Sequence, residues 1–246
     1  MRKIIIANWK MNKLQRETSD FIRNLPAQND VDIAIIPSFL SIREAKNMAV
    51  SKNIRIGSQN MSEYNHGPYT GEVSASMLKD AGCDFVLLGH SERRKIFLEN
   101  NHCIAKKVER AIVEKMPFVL CVGETLDERN LGETEEVIDR MLDEPLSDLF
   151  GNHWKLVTIA YEPVWAIGTG HVADSDSIRR VHSLIRSKLE NFDPELGATI
   201  PILYGGSVNG DNISEILSIQ NVDGVLVGNA SLDVLSFNQL INKAVS

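Results

Sequence analysis

The chain has 246 residues, 43% of them hydrophobic and 24% charged, with a formal net charge of −7. That length can bury a large core and suits one barrel-sized domain. An acidic chain offers no basic field to nucleic acid or an anionic membrane, so an anionic ligand must be held by local cations and main-chain amides.

Short apolar or β-branched runs recur along the chain. They are KIIIA from Lys3, VDIAII from Val31, IRIG from Ile54 and DFVLLG from Asp84, then PFVLCVG from Pro117, LVTIAYE from Leu156, TIPILYG from Thr199 and GVLVG from Gly224. Their starts lie roughly 23 to 43 residues apart, which is room for a strand, a helix and two loops. Helical patterns fill the gaps. NHCIAKKVERAIVEK and TEEVIDRMLDEPL are amphipathic, and Ser175–Phe192 places Ile178, Val181, Ile185, Leu189 and Phe192 on one face, with Ser175 or Asp174 as its cap. Continuous rather than alternating apolar strands imply a parallel sheet covered by helices. Eight units without a linker or composition break favour a closed (β/α)8 barrel, one domain over residues 1–246, rather than an open doubly wound sheet.

Cys83, Cys103 and Cys121 are widely spaced, with no CxxC and no histidine at metal spacing, which speaks for a reducing compartment. Cys121 reads as core. The first apolar run, Ile4 to Ala7, is too short for a signal peptide or a membrane span. A cytoplasmic protein is expected, with no metal and no cofactor.

Polar residues gather where the strands end. The first strand runs into Asn8 and Lys10, the third into Gln59 and Asn60, the fourth into His90 and Glu92, the fifth into GET and the sixth into Glu162. The seventh runs into Gly205, Gly206 and Ser207, and the eighth into Gly228 and Asn229. In a parallel barrel these ends meet at one face, where barrel enzymes do their chemistry. Taken singly, Lys10 would be a solvated lysine, His90 a helix-start residue and Glu162 a turn cap; their shared position makes them a candidate site. The glycine-rich turns after the last two strands, each leading to a helix expected near Asp211 or Leu232, suit a phosphate. A carboxylate, an imidazole and an ammonium beside a phosphate pocket suggest proton transfer next to a carbonyl, with Glu162 as base and Lys10 and His90 stabilising the charge on oxygen. PVWAIGTG reads as a lid with Pro163, Gly168 and Gly170 as hinges and Val164, Trp165 and Ile167 as its apolar underside.

ANWKMN, LGHSERR, CVGET, AYEPVWAIGTG, YGGSV and VGNASL, in this order and spacing, resemble the triosephosphate isomerase family from Ile6 to about Leu232. That family is itself a standard worked case of acid–base groups tuned by their surroundings, so the roles it implies are inherited. The resemblance implies interconversion of dihydroxyacetone phosphate and D-glyceraldehyde 3-phosphate through an enediolate, without a cofactor. It implies Glu162 as the base, a neutral His90 as electrophile and proton donor, Lys10 polarising the substrate, Asn8 positioning it and Glu92 backing the lysine. Ile167 and Leu226 would clamp the base, and the amides of Gly168, Ser207, Gly228 and Asn229 would grip the phosphate, while the lid protects the enediolate from losing it. NHGPYTGE resembles the loop that enters a neighbouring subunit, with Thr70 approaching Asn8 of the partner subunit, so a homodimer is implied. The chain departs from the family pattern at Ala7, Pro68, His171 and Asn229. At Asn229 only the backbone N–H is needed, and asparagine tolerates left-handed backbone. The alternative is another phosphosugar isomerase or lyase on a phosphate-binding barrel.

Overall fold

The computed structural model describes residues 2–27, 29–167 and 173–245. Eight strands, β1 (Ile4–Asn8), β2 (Asp32–Ile36), β3 (Arg55–Ser58), β4 (Phe85–Leu88), β5 (Phe118–Val122), β6 (Val157–Tyr161), β7 (Ile202–Tyr204) and β8 (Gly224–Val227), pair in chain order, all parallel. The first also pairs with the last, Ile4 opposite Gly224, so the sheet closes into a (β/α)8 barrel. Closure makes a local demand: a Cβ on Gly224 would stand 2.1 Å from the Ile4 carbonyl oxygen.

The continuous apolar runs follow from burial on both faces. Ile4 and Ile6 point into the barrel with Ala34, Ile36, Phe85, Leu87, Val119, Cys121, Ala160, Leu203 and Leu226, which fill it. Ile5 and Ala7, one residue out of phase, face the helices in the larger outer core. Stacked side chains thus fill the interior, and only the mouth is open to chemistry.

The outer ring is α1 (Gln15–Asn24), α2 (Ile42–Ala49), α3 (Ala75–Asp80), α4 (Ser91–Ile96), α5 (Asn101–Val113), α6 (Leu126–Asn130), α7 (Thr134–Leu146), α8 (Ser175–Phe192), α9 (Ile213–Ser218) and α10 (Val234–Val245). Side-chain caps fix the starts of two of the long ones: Asn100 accepts from the Cys103 amide at 2.9 Å and Asp174 from the Ser177 amide at 2.8 Å. Asp174 is therefore the cap of α8. Its apolar stripe, Ile178, Val181, Ile185 and Leu189, is buried as its spacing predicts, and His182 is buried with it.

Two helix starts differ from expectation. The turn after β7 is held by Asn209 and Asn212, whose side chains accept from nearby amides, so α9 begins at Ile213 and has six residues. After β8 a 3-10 turn, Asn229–Ser231, comes first, and α10 begins at Val234 beside Asp233, which accepts from the Ser236 amide at 2.8 Å. Local side-chain acceptors compete with helix formation at both places.

Candidate active site

Glu162 follows directly on β6 and continues its ladder, its N–H donating to the Val122 carbonyl at 2.8 Å. The approach is close enough that a Cβ on Gly123 would lie 1.7 Å from the Glu162 carbonyl oxygen. Glycine is required there so that the chain can present the carboxylate at the barrel mouth. The side chain is almost wholly buried, with Oε2 accepting from the Ser91 amide at 2.9 Å and Oε1 lying 3.0 Å from His90 Nε2. Burial alone raises a carboxyl pKa. Here His90, the Ser91 amide and Lys10 together outweigh it and hold Glu162 below its ordinary value.

His90 is the N-cap of α4, and its Nδ1 accepts from the Glu92 amide at 3.2 Å. A ring nitrogen accepting a main-chain N–H carries no proton, so the hydrogen of the neutral imidazole is on Nε2, facing Glu162. Burial opposes the imidazolium, yet the facing carboxylate raises the His90 pKa above its ordinary value. Anything inserted between the two groups removes that support.

Lys10 lies just beyond β1 with φ 51, a left-handed conformation that costs a non-glycine residue on the order of 1–2 kcal/mol. Its neighbours hold it: the Lys10 amide donates to Asn8 Oδ1 at 3.1 Å and its carbonyl accepts from Gln59 Nε2 at 2.6 Å. The ammonium then meets Glu92 Oε1 at 2.6 Å.

These groups share one cavity of about 280 Å³. Asn8, Lys10, His90, Glu162, Ile167, Ser207, Leu226, Gly228 and Asn229 all line it, together with Gly205 and Gly206 of the seventh loop. Ser207 donates its hydroxyl to the Ala166 carbonyl at 2.6 Å, joining the seventh loop to the turn after Glu162. At the eighth loop, Ser231 donates to the Gly228 carbonyl at 2.7 Å, and Trp9 Nε1 to the Ser231 carbonyl at 3.1 Å. The amides at this loop come from the 3-10 turn and not from a long helix. Cys121 is buried in the barrel interior, and burial, aided by the carboxylate of Glu162, pushes its thiol well above the ordinary range.

Glu92 stands behind Lys10 as expected, and Thr70 lies outside the cavity on an exposed loop. Gly168, Gly170 and His171 lie outside the described residues. Several members have roles that their place after a strand did not specify. The Ser91 amide holds Glu162 and Gln59 holds the Lys10 backbone. Glu124, fully buried, accepts from Trp165 Nε1 at 2.9 Å and Tyr161 Oη at 3.1 Å, and so anchors the segment after Glu162. Its signal was present: it is a carboxylate just past the fifth strand, as Glu162 is past the sixth.

The family model of triosephosphate isomerase matches residues 3–244. The chain is 43% identical over 248 residues to the triosephosphate isomerase of Francisella tularensis subsp. mediasiatica, covering 99% of this chain and 98% of the relative. It is 43% identical over 244 residues to that of Thermodesulfovibrio yellowstonii, covering 98% of each. The corresponding protein of Alkaliphilus metalliredigens is 42% identical over 98% of this chain and 100% of its own length. A cavity that unites a strand-end carboxylate, an imidazole and a lysine, on a chain matched throughout, belongs to a member of the triosephosphate isomerase family.

Proposed function

We propose that the cavity at the barrel mouth interconverts dihydroxyacetone phosphate and D-glyceraldehyde 3-phosphate, with Glu162 as the base. The carrying observation is the 3.0 Å approach of Glu162 Oε1 to His90 Nε2 in a cavity also lined by Lys10. Substrate enters between the two. Glu162 removes a proton from the carbon next to the carbonyl, the C–H electron pair becomes the enediolate double bond, and the carbonyl π pair moves to oxygen. Nε2–H of His90 donates to that oxygen and recovers a proton from the neighbouring hydroxyl. Glu162 then returns its proton to the other carbon. General acid–base catalysis supplies roughly 10²–10⁴-fold, and Lys10, aimed at the developing oxyanion, adds electrostatic stabilisation.

The phosphate sits against the amides of Ser207, Gly228 and Asn229, with Gly168 completing the grip and Asn8 orienting the triose. Ile167 and Leu226 flank the carboxylate and keep water from it, which raises its proton affinity once substrate separates it from His90. Glu92 holds Lys10 in place. No cofactor or metal takes part in this scheme.

The test is a coupled assay with both trioses on the wild type and on Lys10→Met. Turnover of both trioses is expected in the wild type, with kcat/KM falling about 10- to 100-fold in the variant, the loss of one charge-assisted contact. Equal kcat/KM in the two proteins would remove Lys10 from the site, and absence of turnover in the wild type would remove the reading altogether.

The assembly proposed is a homodimer. Thr70 is exposed, on a loop where Tyr64 and Tyr69 stack at 3.8 Å yet each remains more than a third exposed. Such an aromatic surface suits burial against a second copy, bringing Thr70 to Asn8 of the partner subunit. Sedimentation at micromolar concentration should give twice the chain mass; a monomer that isomerises at full rate would sink the assignment of Thr70. Among the described residues no helix is long and apolar enough to cross a membrane, and all three cysteines are free. Both are compatible with the cytoplasmic location proposed.

A further inference from the structure

A second cavity, of about 190 Å³, lies on the outside of the barrel and shares no residue with the first. Its walls are Arg129, Gly132, Thr134, Ser177, Arg180 and Val181: two guanidinium groups, two hydroxyls and no carboxylate.

The two arginines differ in how they are held. Arg129 donates from Nη2 to Ser177 Oγ at 2.8 Å, lies 3.6 Å from Glu124 through Nη1 and stacks 4.5 Å over the Trp165 ring. The Ser177 hydroxyl in turn donates to Asp174 at 2.7 Å, so it has no proton left to offer. Arg180 and the Thr134 hydroxyl make no hydrogen bond or ion pair among the described residues. One fixed cation, one loose cation and one free hydroxyl therefore border the same space. Like charges around a cavity repel, and an anion between them turns that repulsion into two charge-assisted contacts. A guanidinium carries five donors in a planar fork that matches phosphate oxygens, and Arg129 has donors to spare.

We propose that this cavity is a binding site for a small phosphate-bearing anion, inorganic phosphate or pyrophosphate, held by Arg180, the remaining donors of Arg129 and the Thr134 hydroxyl. It is a second anion site, distinct from the barrel mouth. Because Arg129 also covers Trp165, occupancy reaches the turn that follows Glu162.

Calorimetric titration with pyrophosphate tests this on four proteins: the wild type, Arg180→Ala, Lys10→Met and the double variant. The wild type should bind two pyrophosphates, one at each cavity. Arg180→Ala should lose the outer site, weakening it roughly 10- to 100-fold, while its isomerase activity stays unchanged. Lys10→Met should weaken the barrel site alone, and the double variant should lose both. At the outer site Arg180→Lys should bind more weakly than the wild type and Arg180→Glu not at all, while both keep the pyrophosphate at the barrel mouth. Thermal melts confirm that each variant is folded, which substitution of an exposed arginine permits. The proposal falls if Arg180→Ala binds with wild-type stoichiometry and affinity, or if the wild type binds a single pyrophosphate that Lys10→Met removes.

Discussion

Glu124 and Glu162 stand just past the ends of neighbouring strands, and both are almost wholly buried. Burying a carboxylate is costly unless donors replace water, and the two sites meet that cost differently. Glu124 faces away from the barrel mouth cavity, with Tyr161, Trp165 and Arg129 around it. Glu162 faces the cavity with one amide and one imidazole, and the imidazole can be displaced from it by a ligand. Depth of burial therefore does not single out the carboxylate proposed as the base. What marks it is a partner set that a substrate can enter. The histidines repeat the contrast. His90 turns Nε2 to the cavity, whereas His182 is buried between Tyr161 and Tyr204, with Nδ1 on the Asn221 carbonyl at 2.8 Å and Nε2 without a hydrogen-bond partner among the described residues.

The largest effect should come from Glu162→Gln. It keeps the shape and the Ser91 contact but removes the proposed base, so kcat should fall at least ~10³-fold, within the upper range of general-base catalysis. Near-normal turnover would place the chemistry elsewhere.

The next concerns His182. Burial pushes its imidazole down to about 4. From an ordinary 6.5, the unfolded chain takes up a proton before the native one does. Stability is thus complete above about pH 6.5, is lost as pH falls, and levels off below about pH 4. The full loss is about 3 kcal/mol, from 1.36 kcal/mol per pKa unit. Urea unfolding at pH 7 and pH 4 should show a drop that much larger in the wild type than in His182→Gln. Equal drops in the two proteins would show that His182 does not titrate in this way.

The smallest effect sharpens the contrast between the carboxylates. Glu124→Gln should cost about 1–3 kcal/mol of stability, because a carboxylate that accepts from Tyr161 and Trp165 and pairs with Arg129 becomes a neutral amide. Its kcat should fall far less than that of Glu162→Gln. A variant as stable as the wild type but as inactive as Glu162→Gln would reverse the roles given to the two acids.

Much of this was legible in the chain. Strand positions were, because every barrel strand is buried on both faces and so reads as an unbroken apolar run. Ile4, Ile5, Ile6 and Ala7 all lie inside, alternately in the barrel and under the helices. The cavity residues were legible through their shared place after the strands. Less so were groups whose role depends on a distant donor. The Ser91 amide serves Glu162 only because β4 and β6 bring them together, and Arg129 and Arg180 share a cavity only where α6 and α8 converge. The helix starts after β7 and β8 were misplaced because Asn209, Asn212 and Asp233 satisfy local amides in ways that apolar periodicity does not report.

By itself the sequence determined the repeating strand and helix order and the residue types at each strand end, since burial of a strand face and capping of a helix depend on neighbours a few residues away. The tertiary structure alone decided which acid looks into the cavity, where the histidine hydrogen sits and which arginine is left loose. Those outcomes depend on donors and acceptors supplied from other strands, and hydrogen bonding and charge act over a few ångströms of space, however far apart the groups lie along the chain.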